Sequence, residues 1–145
     1  MEIKILGNFE KVNFPQFGIK SIDAKIDSGA DSGALHCTKV IEEKTPQGKV
    51  INFSPFDYPD IKITTDDYYI DYVKSSNGIA EKRYFIKTFI VVLGETYQIV
   101  LSLADRSTMK WPVLIGSRFL AENKFLVDVN KKTGVSLAKV KAAKT

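Results

Sequence analysis

The residue best placed to do chemistry is Asp27. It follows Ala24-Lys25-Ile26 and opens a run of small residues, Ser28-Gly29-Ala30-Asp31-Ser32-Gly33-Ala34. A strand interior disfavours Asp, and small residues on both sides suit a place where another backbone or side chain comes close. The chemistry such a position serves is that of a carboxylate held at a crowded interface. The tripeptide Asp-Ser-Gly on its own is usually just a surface turn, so its context must carry the functional reading.

Two other reactive side chains stand side by side. His36 is the one histidine and Cys37 the one cysteine of the chain. Adjacent strand residues point to opposite faces, so these two do not converge easily on one metal. No His-Glu-x-x-His is present, and no metal site is expected; His36 reads as a partly buried polar residue. No Gly-x-x-x-x-Gly-Lys-Ser/Thr loop is present either, which leaves no local site for ATP phosphates, and no cofactor is expected.

The elements that must position Asp27 are strands. Lys62-Ile63-Thr64, Tyr68 to Val73, Tyr84 to Leu93 and Tyr97 to Leu103 are rich in β-branched and aromatic residues, and Tyr97, Ile99, Leu101 and Leu103 share one face at period two. Thr45-Pro46-Gln47-Gly48, Ser76-Asn77-Gly78, Leu93-Gly94-Glu95 and Lys132-Thr133-Gly134 supply glycine where the chain reverses. One short helix is expected over Ser117 to Asn123 with Ser117 as its N-cap. Phe125 to Val129 and Val135 to Val140 are expected to form a closing hairpin. The stretch from Glu42 to Asp67, with Pro46, Pro55, Pro59 and several charges, is expected to be an irregular insertion. Trp111 reads as packing rather than a substrate platform. Asp105 and Arg106 read as a structural pair.

At this point two segments carry a resemblance. Asp27-Ser28-Gly29-Ala30 resembles the active-site loop of retropepsins and pepsins, commonly Asp-Thr/Ser-Gly. Trp111-Pro112-Val113-Leu114-Ile115-Gly116, followed by Ser117-Arg118-Phe119-Leu120, resembles the apolar-apolar-Gly segment that packs beneath that loop. Val73 to Gly78, Arg83, Leu103 to Met109 and Val127-Asp128 further resemble the bacterial and archaeal retropepsin-like family often labelled ATP-dependent zinc protease. The resemblance covers roughly residues 20–128. It implies a mostly β fold, the retropepsin-like closed β-barrel of acid proteases with one short helix. Residues 1–145 read as a single domain, with 129–145 as a C-terminal hairpin and basic tail.

By the same resemblance, Asp27 would be catalytic and Ser28, Gly29, Ala30 and Asp31 would form the active-site loop. Ser28 would supply a hydroxyl tying two loops together, and Gly29 would leave room for substrate backbone. Asp31 would pair with Arg118, beside Gly116, to support the loop, although the family's common Gly-Arg-Arg reads Gly116-Ser117-Arg118 here. The turn Ser75-Ser76-Asn77-Gly78 is the candidate flap, a hairpin tip that closes over substrate and excludes water. Peptide hydrolysis by carboxylates needs two of them sharing one proton, because like charges at close range cannot both ionise cheaply. The chain has one such loop, so the mechanism implies a homodimer with Asp27 from each copy at a twofold axis. The substrate would be a peptide or protein. An association with ATP-grasp ligases, which add amino acids to proteins or peptides, is implied by resemblance as well. The alternative is a noncatalytic peptide-binding or assembly module on the same fold; a metal-dependent hydrolase ranks last.

Composition sets the frame. The chain has 145 residues, 44% hydrophobic and 26% charged, within the ordinary range of a globular domain. At this length roughly 68–70% of the unfolded surface can be buried, so neither disulfide nor structural metal is needed. The lone Cys37 suits a reducing compartment, and a cytoplasmic location is expected. No run reaches the ~18 apolar residues of a membrane span, and the first residues hold no apolar signal core. The net charge of +4 is weighted toward Lys131, Lys132, Lys139, Lys141 and Lys144, which reads as a solvated basic tail and not a nucleic-acid surface.

Overall fold

The computed structural model describes residues 3–74, 77–132 and 135–136. Its strands are β1 (Lys4–Leu6), β2 (Phe9–Phe14), β3 (Ile19–Ile26), β4 (Gly33–His36), β5 (Val40–Thr45), β6 (Gly48–Phe53), β7 (Ile63–Thr65), β8 (Tyr68–Lys74), β9 (Ala80–Val92), β10 (Glu95–Ala104), β11 (Val113–Ile115), β12 (Leu126–Val127) and β13 (Val135–Ser136), with one helix, α1 (Ser117–Glu122).

Six strands run in the order β10-β4-β11-β3-β2-β9, and β9 pairs with β10, which closes the barrel. Closure satisfies every edge of the ring with backbone partners. The β9–β10 hairpin is the longest ladder, from Glu95 opposite Val92 to Leu103 opposite Tyr84. Its two-residue turn holds Leu93 at φ 48° and Gly94 at φ 79°. Positive φ at both central residues matches the twist of the flanking strands, and Gly94 adopts it without a Cβ penalty.

The period-two reading of β10 holds. Ile99, Leu101 and Leu103 are buried, and Tyr97 packs partly buried against the same core. Leu6, Phe14, Leu35, Ile90, Leu101, Val113 and Ile115 have no exposed surface. Each large apolar side chain removed from water in this way contributes roughly 1.5–3 kcal/mol. Leu35, Val113 and Ile115 belong to the short strands β4 and β11, so the part of the core that carries the Asp27 loop is fully buried.

Three sequence expectations are corrected. The stretch from Glu42 to Asp67 is not irregular: β5, β6 and β7 form a separate antiparallel sheet. Its prolines punctuate the sheet rather than break it, Pro46 in the β5–β6 turn and Pro55 opening a 3-10 turn over Pro55–Asp57, while Ile51 and Phe53 anchor it to the core. The closing hairpin does not form. β12 lies parallel and β13 antiparallel to β1, which sits between them, so the two segments pair with the N-terminal strand and not with each other. The remainder of the basic tail lies outside the described residues. Finally, the helix N-cap is Gly116, not Ser117, and no side chain caps it. No helix among the described residues is long and apolar enough to cross a membrane.

Candidate functional site

Asp27 directly follows β3 where that strand runs parallel to β11, with Ile26 opposite Ile115. Its backbone N–H donates to the Ile115 carbonyl at 2.9 Å, and its own carbonyl accepts from Ala30 N–H at 3.2 Å, which closes a tight turn. The carboxylate Oδ1 accepts the Gly29 N–H at 3.0 Å. A Cβ on Gly29 would stand 3.3 Å from that oxygen, so glycine leaves the carboxylate uncrowded. Asp27 is half-buried, whereas Ser28 and Gly29 are exposed and Ala30 is partly covered.

Beneath the loop, Gly116 comes as close as backbone can. A Cβ there would meet the Ser32 carbonyl carbon at 2.8 Å and the Ala30 and Asp31 oxygens at 2.9 Å each. The first turn of α1 then donates into the loop: Ser117 N–H to Ala30 O at 2.7 Å and Arg118 N–H to Asp31 O at 3.1 Å. These donors are orphaned at any helix start, and here the loop carbonyls replace a side-chain cap. That explains why Ser117 does not serve as the N-cap. Arg118 Nη2 lies 3.0 Å from Asp31 Oδ2, the pair named from the sequence, and both side chains are mostly exposed.

The tetrapeptide Asp-Ser-Gly-Ala occurs twice in succession, at 27–30 and 31–34, so the chain holds two Asp-Ser-Gly segments and not the one expected. The fold separates the copies. Asp27 is at a strand end with its amide buried in the sheet, while Asp31 points outward to Arg118. Gly33 starts β4 under Leu114, whose carbonyl oxygen a Cβ would approach to 2.5 Å, and buried Ser102 donates from Oγ to the Gly33 carbonyl at 3.2 Å. Gly33 and Ser102 were not singled out from the sequence; the unbroken small-residue run was the available signal.

The candidate flap lies between β8 and β9, antiparallel from Tyr68 opposite Ile86 to Lys74 opposite Ala80. Asn77 and Gly78 are at its tip, with Asn77 Oδ1 accepting from Ile79 N–H at 3.2 Å and Gly78 at φ 83°. Ser75 and Ser76 lie outside the described residues. β8 leaves the barrel edge with Tyr69, Ile70 and Tyr72 exposed, and Tyr69 stacks flat on Phe85 at 5.0 Å between centroids. Trp111 packs as expected, its ring 4.1 Å from that of Phe9.

Asp105 and Arg106 do not pair with each other. Asp105 Oδ1 accepts from the Ser107 N–H and hydroxyl, and Arg106 Nε–H donates to the Trp111 carbonyl at 2.9 Å. His36 spends both ring nitrogens within the protein: Nδ1 accepts the Arg106 N–H at 2.8 Å, and Nε2 lies 3.0 Å from Asp57 Oδ2. Cys37 is buried and turned the other way, its Sγ–H toward the Lys39 carbonyl.

Residues 5–135 match the RimB-like family model, described as retropepsin-like aspartic endopeptidase RimB. The chain belongs to this family. The match extends beyond the 20–128 legible by resemblance and takes in β1 and the start of β13. Within the RimB-like family the closed barrel and the loop clamped by an apolar-Gly segment are the retropepsin-like fold itself. Among curated proteins, the chain is similar to two named "Probable alpha-L-glutamate ligase", from Shewanella pealeana (31% identical over 129 residues) and Shewanella halifaxensis (32% over 129 residues). In each case the alignment covers 86% of this chain, which spans 28% of the relative's length. The fold matches the crystal structure of a Legionella pneumophila protein of unknown function with a TM-score of 0.70 and 22% identity, covering 88% of this chain and 94% of that one.

Proposed function

We propose that the chain is an aspartic endopeptidase that works as a homodimer, with Asp27 of each copy forming the reactive pair. The observation that carries this reading is the Asp27 loop itself: its carboxylate is half-buried but open, on a backbone locked from below by residues 115–118, in a chain of a retropepsin-like aspartic endopeptidase family. One carboxylate cannot be acid and base at once, so a second copy must supply the partner.

In that pair the two carboxylates share one proton. The ionised Asp27 takes a proton from water as it attacks the peptide carbonyl, and the protonated Asp27 donates to the carbonyl oxygen; proton transfer to the departing amine completes cleavage. No covalent intermediate forms. Ser28, next to the reactive carboxylate and exposed, would tie the two loops together across the axis. The β8–β9 hairpin would close over the bound peptide and exclude water.

The names of the curated relatives suggest a chemistry for the substrate. A domain of this kind inside proteins named for alpha-L-glutamate ligation fits a peptidase that acts on glutamate-rich peptides, with the ligase as functional partner.

Sedimentation equilibrium across a concentration series tests this reading, paired with peptide cleavage by wild type and Asp27→Asn. A dimer whose cleavage is lost in Asp27→Asn supports it. A monomer at high micromolar concentration, or an Asp27→Asn protein that still cleaves, overturns it.

A further inference from the structure

At the end of the β9–β10 ladder nearest the flap, two arginines stand together. Arg106 opens the loop after β10 and is held at two points, its N–H on His36 Nδ1 at 2.8 Å and its Nε–H on the Trp111 carbonyl at 2.9 Å. The first anchors the backbone and the second ties down one edge of the guanidinium. Its Nη groups have no hydrogen-bond or ion-pair partner among the described residues, though Arg106 is half-buried. Arg83 precedes Tyr84, which pairs with Leu103, so Arg83 projects from the same end of the ladder. Its side chain is 26% exposed, Nη2 meets Glu81 Oε2 at 3.1 Å, and its buried Nε has no partner among the described residues.

This arrangement is costly as it stands. Burial pushes the Arg106 guanidinium below its ordinary value, the Arg83 charge pushes in the same direction, and the attraction of Asp27 opposes both. Yet no ion pair joins Arg106 to Asp27 among the described residues. Two neighbouring guanidinium groups, partly desolvated and with unspent donors, call for an anion from outside the chain. A carboxylate matches the planar fork of Arg and takes two parallel hydrogen bonds from it.

His36 holds the backbone from which that fork projects. Because Nδ1 accepts the Arg106 amide, the ring carries its proton on Nε2, which donates to Asp57; Asp57 Oδ1 is held in turn by the Thr38 N–H at 2.9 Å and hydroxyl at 3.0 Å. The chain from Thr38 through Asp57 and His36 to the Arg106 amide holds in place the backbone from which the arginine side chain projects.

We propose that Arg106, with Arg83 beside it, is the specificity determinant of the Asp27 site, reading a side-chain carboxylate of the peptide next to the scissile bond, and that His36 is its positioning residue. This rests on the reading of Asp27 as a peptidase site.

The test uses two labelled peptides of identical sequence except that one carries Glu and the other Gln. Binding is read by fluorescence anisotropy on the Asp27→Asn protein, which does not turn them over. The Glu peptide should bind at least about tenfold more tightly, a preference that shrinks with added salt. Arg106→Gln should remove that preference while changing Gln-peptide affinity by less than about twofold. Arg83→Gln should reduce it in part and serves as the second variant if Arg106→Gln does not fold. His36→Gln should lower the Glu-to-Gln affinity ratio, whereas a merely structural role would weaken both peptides alike. Equal binding of both peptides, or equal losses for both in Arg106→Gln, overturns the proposal. Cleavage by wild type without discrimination would leave the peptidase reading standing and sink this one. Discrimination in binding without any cleavage by wild type would overturn the peptidase reading and, with it, the placing of this carboxylate beside a scissile bond.

Discussion

The Ser117 backbone amide donates to the Ala30 carbonyl at 2.7 Å, joining the first turn of α1 to the loop that carries Asp27. With the Arg118 amide on Asp31 and the Asp27 amide on Ile115, it binds the loop from three sides by main-chain bonds. Side chains contribute little here; the Asp31–Arg118 pair is mostly exposed. Asp27 is therefore held by backbone geometry, and glycine at position 116 is what lets the two backbones meet.

Gly116→Ala should destabilise the fold by about 1–3 kcal/mol, because the added methyl would overlap backbone atoms on three residues that cannot rotate away. Ser117→Ala, at a partly exposed position whose amide makes the bond in either case, should stay within about 0.5 kcal/mol. Urea denaturation of both variants measures the difference; equal stabilities would mean that the close approach is not what holds the loop.

Tyr68 ties the flap hairpin to the separate β5–β7 sheet by donating from its hydroxyl to Glu42 Oε2 at 2.6 Å. That hydrogen bond pushes the phenol up to about 12 from an ordinary value of 10.0. A folded value above the unfolded one means that the linked stabilisation is full below pH 10.0 and is lost as pH rises through about 12. Ultraviolet titration should show Tyr68 ionising late, alongside Tyr97, which burial also pushes up, and Glu42→Gln should bring Tyr68 alone back toward 10.0. An unchanged titration curve would show that the two elements are not joined in solution.

Much of this could be read from the residues alone. The β-branched and aromatic runs mark β8 and β10 nearly to their ends, with period two evident in β10, whereas β9 begins at Ala80, four residues before the run from Tyr84. The Asp27 loop and its Gly116 partner were legible because small residues are tolerated in such a run where backbones touch. Other features depend on partners distant in sequence. β1 intervenes between β12 and β13, and nothing local to Phe125–Ser136 announces that. The prolines of 42–67 look like breakers until their turns are seen to fall between strands. His36 read as a bland polar residue because its partners, Asp57 and the Arg106 amide, come from separate loops. The contacts of Arg106 are hidden in the same way, since its partners are His36 and the Trp111 carbonyl and not its neighbour Asp105.

Cys37 offers a check on the core near the site. Burial pushes its thiol up from 9.0, the Asp57 charge adds to this, and backbone hydrogen bonds at Lys39 and Ser54 oppose it. With the folded value raised, the corresponding stability is full below pH 9.0 and is lost as pH climbs through the folded value. Alkylation of the native protein should therefore be slow at pH 8 and become fast on unfolding. Rapid modification of the folded protein would contradict the packing described around β4.

The most direct test of the paired Asp27 account is a subunit-mixing titration. Wild type and Asp27→Asn are unfolded and refolded together in varying proportion at constant total concentration, and the initial rate of peptide cleavage is measured. If each active site needs Asp27 from both copies, the rate follows the square of the wild-type fraction, about a quarter of full activity at an equal mixture. A rate that falls in simple proportion to the wild-type fraction would mean that one Asp27 suffices, and would contradict the account.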